Sequence, residues 1–193
     1  MRTIHAILIS LALLAAPAVA LAEPGAGQAP DPVLRELLKQ AVDQAESFEH
    51  RFDAEVWLAD MSNRLKRFMP DPEERLNLLR SVHQEAAMAD LSPELVLALI
   101  QVESAFDRFA ISTAGARGFM QIMPFWVDEI GRPDDNLFEM KTNLRYGCTI
   151  LRHYLDVEKG NMGKALARYN GSVGQWWYPD RVLGAYRTRW QAE

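Results

Sequence analysis

The chain has 193 residues, a formal charge of −5, a pI near 5.4 and one cysteine. An acidic balance with no basic block argues against nucleic acid as the main partner. A single thiol, Cys148, excludes an intramolecular disulfide, and beside Gly147 in a predicted helix it reads as a buried, inert side chain.

The first 22 residues have the pattern of a secretory signal. Arg2 supplies a weakly positive start, Ala6 to Val19 is apolar, and Ala20-Leu21-Ala22 fits a small-x-small cleavage site. Cleavage there leaves about 171 residues, enough for one domain with a full core, and no integral membrane segment. The expected location is exported, in the periplasm or cell envelope. Residues 23–32, rich in Gly, Pro and Ala, read as a flexible leader.

From Val33 the pattern is helical. Residues 33–70 form an N-terminal helical segment, with Leu34, Leu37, Leu38 and Val42 on one face and Phe52, Val56, Leu58 and Leu65 continuing in a second segment. Pro70 and Pro72 break the chain, and residues 71–193 form the main domain. A helix is expected from about Glu73 to Ala89, carrying Leu76, Leu78, Leu79 and Val82.

The next helix, Ser92 to Phe106, is the most informative. Ser92 is a good N-cap, Pro93 suits the first helical position, and Leu91 and Val96 stand at the positions of a hydrophobic staple. Leu95 to Ile100 is apolar nearly all round, which predicts a central helix. Val96, Leu99 and Ile100 form a stripe whose next member is Glu103. A carboxyl at that place either marks the solvent end of the stripe or is desolvated, with a raised pKa suited to a general acid.

A glycine-punctuated segment follows, from Gly115 to Pro124. Phe125 to Ile130 reads as a short helix stopping at Gly131, and Arg132 to Asn136 as a turn. Helices are expected over Thr142 to Val157, from an Asn161 cap through Arg168, and over Arg181 to Trp190. No alternating strand exceeds four residues, so the expected fold class is mainly α. Trp57 and Trp126 read as core. Trp176, Trp177 and Tyr178 read either as a sugar-stacking surface or as a hydrophobic corner.

Several segments, in order, resemble the soluble-type lytic transglycosylases, goose-lysozyme-like enzymes that cleave peptidoglycan. These are Val102-Glu103-Ser104-Ala105-Phe106, Ser112-Thr113-Ala114-Gly115-Ala116, and Gly118-Phe119-Met120-Gln121-Ile122-Met123-Pro124. Asn143 with Gly147, Ala167-Arg168-Tyr169-Asn170-Gly171 and Tyr178-Pro179-Asp180-Arg181-Val182-Leu183 continue the pattern. The likeness spans about Asp71 to Trp190 and implies a lysozyme-like catalytic domain with little or no sheet, preceded by the N-terminal helices.

By that resemblance Glu103 is the catalytic acid and base, and Ser112, Gln121, Met123, Tyr169 and Asn170 line the sugar site. Gln121 offers an amide able to donate and accept, and Tyr169 is expected to give its hydroxyl to Glu103. Gly118 lets the backbone turn sharply, Phe119 and Met123 supply apolar wall, and Ser104 either orients Glu103 or ends the helix. On residue type alone, Gln121 reads equally as a surface residue, Tyr169 and Met123 as core, and Asn170 before Gly171 as turn geometry.

Glycosidases ordinarily use two carboxylates. The motif supplies one, with Asp107 as the nearby second candidate. The resemblance therefore implies a substrate-assisted route that closes a 1,6-anhydro ring on muramic acid. No metal and no cofactor is expected. The implied partner is the peptidoglycan glycan strand, with an envelope or secretion-machinery protein as a further candidate. A lysozyme-like hydrolase and a non-catalytic, glycan-binding envelope protein are the competing readings.

Overall fold

The computed structural model describes residues 50–191. The predicted signal, the leader and the helical face from Leu34 to Val42 lie outside the described residues. Seven α-helices are found among those described: α1 (Arg51–Leu65), α2 (Pro72–Met88), α3 (Pro93–Glu103), α4 (Phe125–Ile130), α5 (Met140–Val157), α6 (Met162–Asn170) and α7 (Trp177–Ala185). A π-helical turn, Tyr186–Trp190, continues α7. The only β-structure among these residues is a pair of isolated bridges, Ile111 with Arg117 and Arg117 with Ile122. The chain is mainly α. None of the described helices is long and apolar enough to cross a membrane.

Helix α3 is the axis of the core. All six residues from Leu95 to Ile100 are buried, so every face of the helix meets another element. Ser92 caps it by accepting from the N–H of Leu95 at 3.2 Å, and its own hydroxyl donates to Glu94 at 2.7 Å. Against α3 pack α2, α7 and the π-helical turn, while α5 and α6 close the other side of the core through α2 and α7.

Helix α1 joins the same core through Ala54, Leu58, Met61 and Leu65, a stripe of spacing four, three, four. Of the four apolar residues expected in this segment, Leu58 and Leu65 are buried. Phe52 and Val56 are 73% and 54% exposed, because they stand six and two residues before Leu58 and fall off the helical stripe. Trp57 is half-buried, edge-on to His83 at 5.1 Å, with its indole N–H donated to Glu94 at 2.6 Å.

Of the boundaries that differ from expectation, three matter for the site. Helix α3 stops at Glu103, three residues early, because Ala105 and Phe106 adopt left-handed backbone with φ of 50° and 68°. Helix α5 begins at Met140, since the Glu139 carboxylate caps the N–H groups of Lys141 and Thr142. Helix α7 begins at Trp177, four residues before the expected start. Pro179 explains the last shift: it has no N–H to leave unpaired, so the first turn is where a helix tolerates it.

Candidate active site

Glu103 is the last residue of α3, where the apolar helix reaches the edge of the core. Burial pushes its carboxyl up to about 7, against the opposing pull of a hydrogen bond from Tyr178 and the charge of Arg181. The phenol of Tyr178, itself buried, donates to Oε1 of Glu103. The group is thus held near the midpoint of its titration at neutral pH, able both to deliver a proton and to take one back.

The tyrosine on the acid is not the one expected. Tyr169 donates its hydroxyl to the carbonyl of Met120 at 2.8 Å, and Tyr178 takes the place assigned to it. Starting α7 at Trp177 puts Tyr178 in the first turn, facing α3; in the loop expected there it had no defined direction. Tyr169 still senses the site, because the Glu103 charge adds to burial in holding its phenol well above the usual range.

Backbone strain frames the acid. Consecutive non-glycine residues with positive φ are disfavoured sterically, yet Ala105 and Phe106 turn the chain sharply away from α3. Two features hold the turn. Phe106 is buried against Phe68 and Trp190, at centroid distances of 5.0 and 5.5 Å. Ser104 ends the helix with its hydroxyl 3.2 Å from the Ile100 carbonyl and 2.8 Å from that of Phe119.

The glycine-punctuated segment is a tight reverse turn. Arg117 and Ile122 exchange both backbone hydrogen bonds at 2.9 Å, and Gly118 and Gln121 adopt φ of 75° and 51° between them. The side-chain amide nitrogen of Gln121 donates inward, to Ala110 at 3.1 Å and Gly118 at 3.0 Å. Its two N–H groups are thereby committed within the protein, and the oxygen is what it can offer a ligand. Ser112 likewise builds structure, accepting from the N–H of Ala116 at 3.0 Å. Met123 is half-buried at the exit of the turn, where its carbonyl accepts from Trp126 at 3.0 Å.

Three helices fasten this turn. Besides Ser104 at the end of α3 and Tyr169 from α6, Asn143 of α5 satisfies three backbone groups. Its amide nitrogen donates to Arg117 at 2.9 Å and Leu137 at 2.8 Å, and its oxygen accepts from Met120 at 2.8 Å. Asn143 is 1% exposed. The signal for this role was a polar residue on the buried face of a predicted helix, one turn before Gly147. At Gly118 a Cβ would strike the Asn143 amide and come within 2.6 Å of the Leu137 carbonyl. At Gly147 it would strike the side chain of Met120. Both glycines let neighbouring groups reach the turn.

Phe119 is buried in the core and supports the turn from behind. Asp107 lies beyond the Ala105–Phe106 turn, exposed, with its carboxylate accepting from the N–H of Phe109 at 2.8 Å. Asn170, also exposed, is the final residue of α6 before Gly171 at φ 78°.

Residues 80–181, more than half of the chain, match the family described as the Transglycosylase SLT domain. The chain belongs to that family. The SLT match contains Glu103, the glycine turn, Asn143, Tyr169 and Tyr178. Over 105 residues the chain is 32% identical to a transglycosylase of Enterobacteria phage PRD1, covering 51% of this chain and 38% of the phage protein. Among solved structures, an inactive mutant of lytic transglycosylase Slt from Pseudomonas aeruginosa is 23% identical, with a TM-score of 0.45, over 72% of this chain and 30% of that one. The 70 kDa soluble lytic transglycosylase of Escherichia coli is 19% identical, with a TM-score of 0.46, over 81% and 29% respectively. This SLT chain thus spans between about three tenths and two fifths of the length of these relatives.

Proposed function

We propose that this protein is a peptidoglycan lytic transglycosylase of the cell envelope, with Glu103 as its single acid and base. Membership of the SLT family supports the reaction class. The observation that carries the mechanism is the Glu103 carboxyl, raised to about 7 by burial and bearing the Tyr178 hydroxyl on one oxygen. With Oε1 occupied, Oε2 is the oxygen that carries the transferable proton.

Protonated Glu103 gives this proton to the oxygen bridging muramic acid and glucosamine, and the bond from that oxygen to the muramoyl C1 breaks. The neighbouring N-acetyl oxygen stabilises the positive charge that develops at C1. The Glu103 carboxylate then removes the proton of the same sugar's 6-hydroxyl, whose oxygen bonds to C1 and closes the 1,6-anhydro ring. Glu103 ends protonated, as it began. Because the nucleophile is attached to the substrate, its effective concentration is high and no water is activated.

The Gln121 oxygen and the Ser112 hydroxyl are the polar groups offered to the sugars, with Met123, Tyr169 and Asn170 beside them. The position of Asp107 supports a one-carboxylate route, since that side chain caps the following loop.

Digestion of purified sacculi, with products resolved by mass spectrometry, tests the reading. Wild type should release muropeptides with anhydro ends, and Glu103→Gln should lower the rate by at least about 10²–10⁴. Reducing ends in place of anhydro ends would mean hydrolysis by water. Unchanged release by the variant would remove Glu103 from the chemistry.

A further inference from the structure

The tripeptide Trp176-Trp177-Tyr178 starts α7, and its third member donates to Glu103. Trp176 and Trp177 are 56% and 50% exposed, a large aromatic surface to leave in water. Neither ring is loose. Trp177 donates its indole N–H to Gln175 at 2.8 Å and stands edge-on to Tyr178, 5.8 Å between centroids. Trp176 lies over Gly163 of α6 so closely that a Cβ there would come within 2.5 Å of the indole ring. The missing side chain seats the ring against the helix.

Beside Trp176 is a cavity of about 330 Å³, lined among others by Gly163, Lys164, Arg168, Val173 and Gln175. Arg168 is ion-paired with Glu158. Lys164 forms no ion pair among the described residues, which leaves it as the available cation of the cavity. Trp176, which edges the cavity, stands two residues before Tyr178, the partner of Glu103.

We propose that this cavity binds an amino-sugar ring of the glycan strand, stacked on Trp176, with an acidic group of that strand turned to Lys164. A fixed aromatic face suits the flat, C–H-rich side of a pyranose, and its entropy is already lost before binding. The available ammonium complements the carboxylates of the stem peptides, the lactyl carboxyl being tied up as their amide. The inference rests on the reading of the substrate given above, and it assigns a second point of grip outside the reacting bond.

The test uses the full chain carrying Glu103→Gln, which leaves the ligand uncut, and uncross-linked glycan strands of defined length with stem peptides attached. Calorimetric titration should show Trp176→Ala binding these strands about 5- to 10-fold more weakly, with Trp176→Phe recovering most of the loss. Lys164→Gln, a surface change that leaves the fold alone, should weaken binding about threefold for peptide-bearing strands, and less once amidase has removed the stems. Circular dichroism and thermal melts report whether each variant is folded.

Equal affinity of Trp176→Ala and its parent overturns the proposal, as does loss of binding in Lys164→Gln with none in Trp176→Ala, which would indicate a peptide occupant. If Trp176→Ala fails to fold, Trp176→Phe and Lys164→Gln decide. The indole N–H resonance of Trp176 must then shift on titration with strands, and an unmoved signal sinks the idea. Digestion by wild type is scored separately. Absent cleavage with Trp176-dependent binding would remove the enzymatic reading alone, and cleavage with Trp176-independent binding would remove this one alone.

Discussion

The hydroxyl of Tyr178 donates to Oε1 of Glu103, joining the first turn of α7 to the last residue of α3. One bond thereby sets the orientation of the acid and moderates its proton affinity. Burial raises the carboxyl, while the phenol, which favours the ionised form, pulls the other way.

Tyr178→Phe removes that opposing pull. Glu103 should titrate higher still, so the alkaline limb of the pH–rate profile moves up by roughly half to one unit. The rate at its optimum should fall about tenfold as the carboxyl loses its orientation. Release of muropeptides between pH 5 and 9 measures both effects. A limb that moves down or stays put contradicts this account of the bond.

The raised Glu103 also makes a stability prediction. Its folded value of about 7 stands above the ordinary glutamate value of 4.5, so between those limits the folded state holds the extra proton. Folding stability from this group is therefore greatest at low pH and declines as pH rises to about 7, beyond which the full penalty remains. Glu103→Gln should match wild type near pH 4.5 and exceed it by about 1–3 kcal/mol at pH 8. Urea unfolding at the two pH values gives the comparison.

Asn143 should matter to the fold more than any exposed polar residue of α5. Asn143→Ala leaves the N–H of Met120 and the carbonyls of Arg117 and Leu137 without partners in a dry environment. The expected loss is about 3 kcal/mol, against less than about 0.5 kcal/mol for Lys141→Ala on the solvent face. Chemical denaturation of both variants checks the contrast, and residual activity of Asn143→Ala reports whether the glycine turn still holds Gln121.

Gly147 and Met120 should be energetically coupled. A methyl at 147 collides with the Met120 side chain, including its Cβ at 2.9 Å, so Gly147→Ala alone should destabilise by about 1–3 kcal/mol. In a Met120→Ala background the clashes with Sδ and Cε are gone and only the approach to the retained Cβ remains. The cost of Gly147→Ala should therefore shrink, giving a coupling energy of about 1 kcal/mol in a double-mutant cycle.

Much of this was legible in the linear chain, for local reasons. Apolar residues at every position of Leu95 to Ile100 leave no solvent face, so α3 had to be central. Ser92-Pro93 and Asn161 marked their helix starts because capping is decided within one turn. Glu103 stood out as the only acid on the buried stripe. The stripe on α1 was legible too, in the spacing of Ala54, Leu58, Met61 and Leu65, although Phe52 and Val56 drew the eye to the wrong face.

Tertiary structure decided which partners those residues meet. Tyr169 and Tyr178 both follow Glu103 by many residues, both can donate, and nothing local ranks them. Only the packing of α7 on α3 gives the acid to Tyr178 and leaves Tyr169 to the Met120 carbonyl. The commitment of the Gln121 amide to Ala110 and Gly118, and of Asn143 to three backbone groups, was hidden for the same reason. Periodicity and caps are properties of a few adjacent residues, whereas a hydrogen bond between distant side chains exists only after the core has brought their helices together.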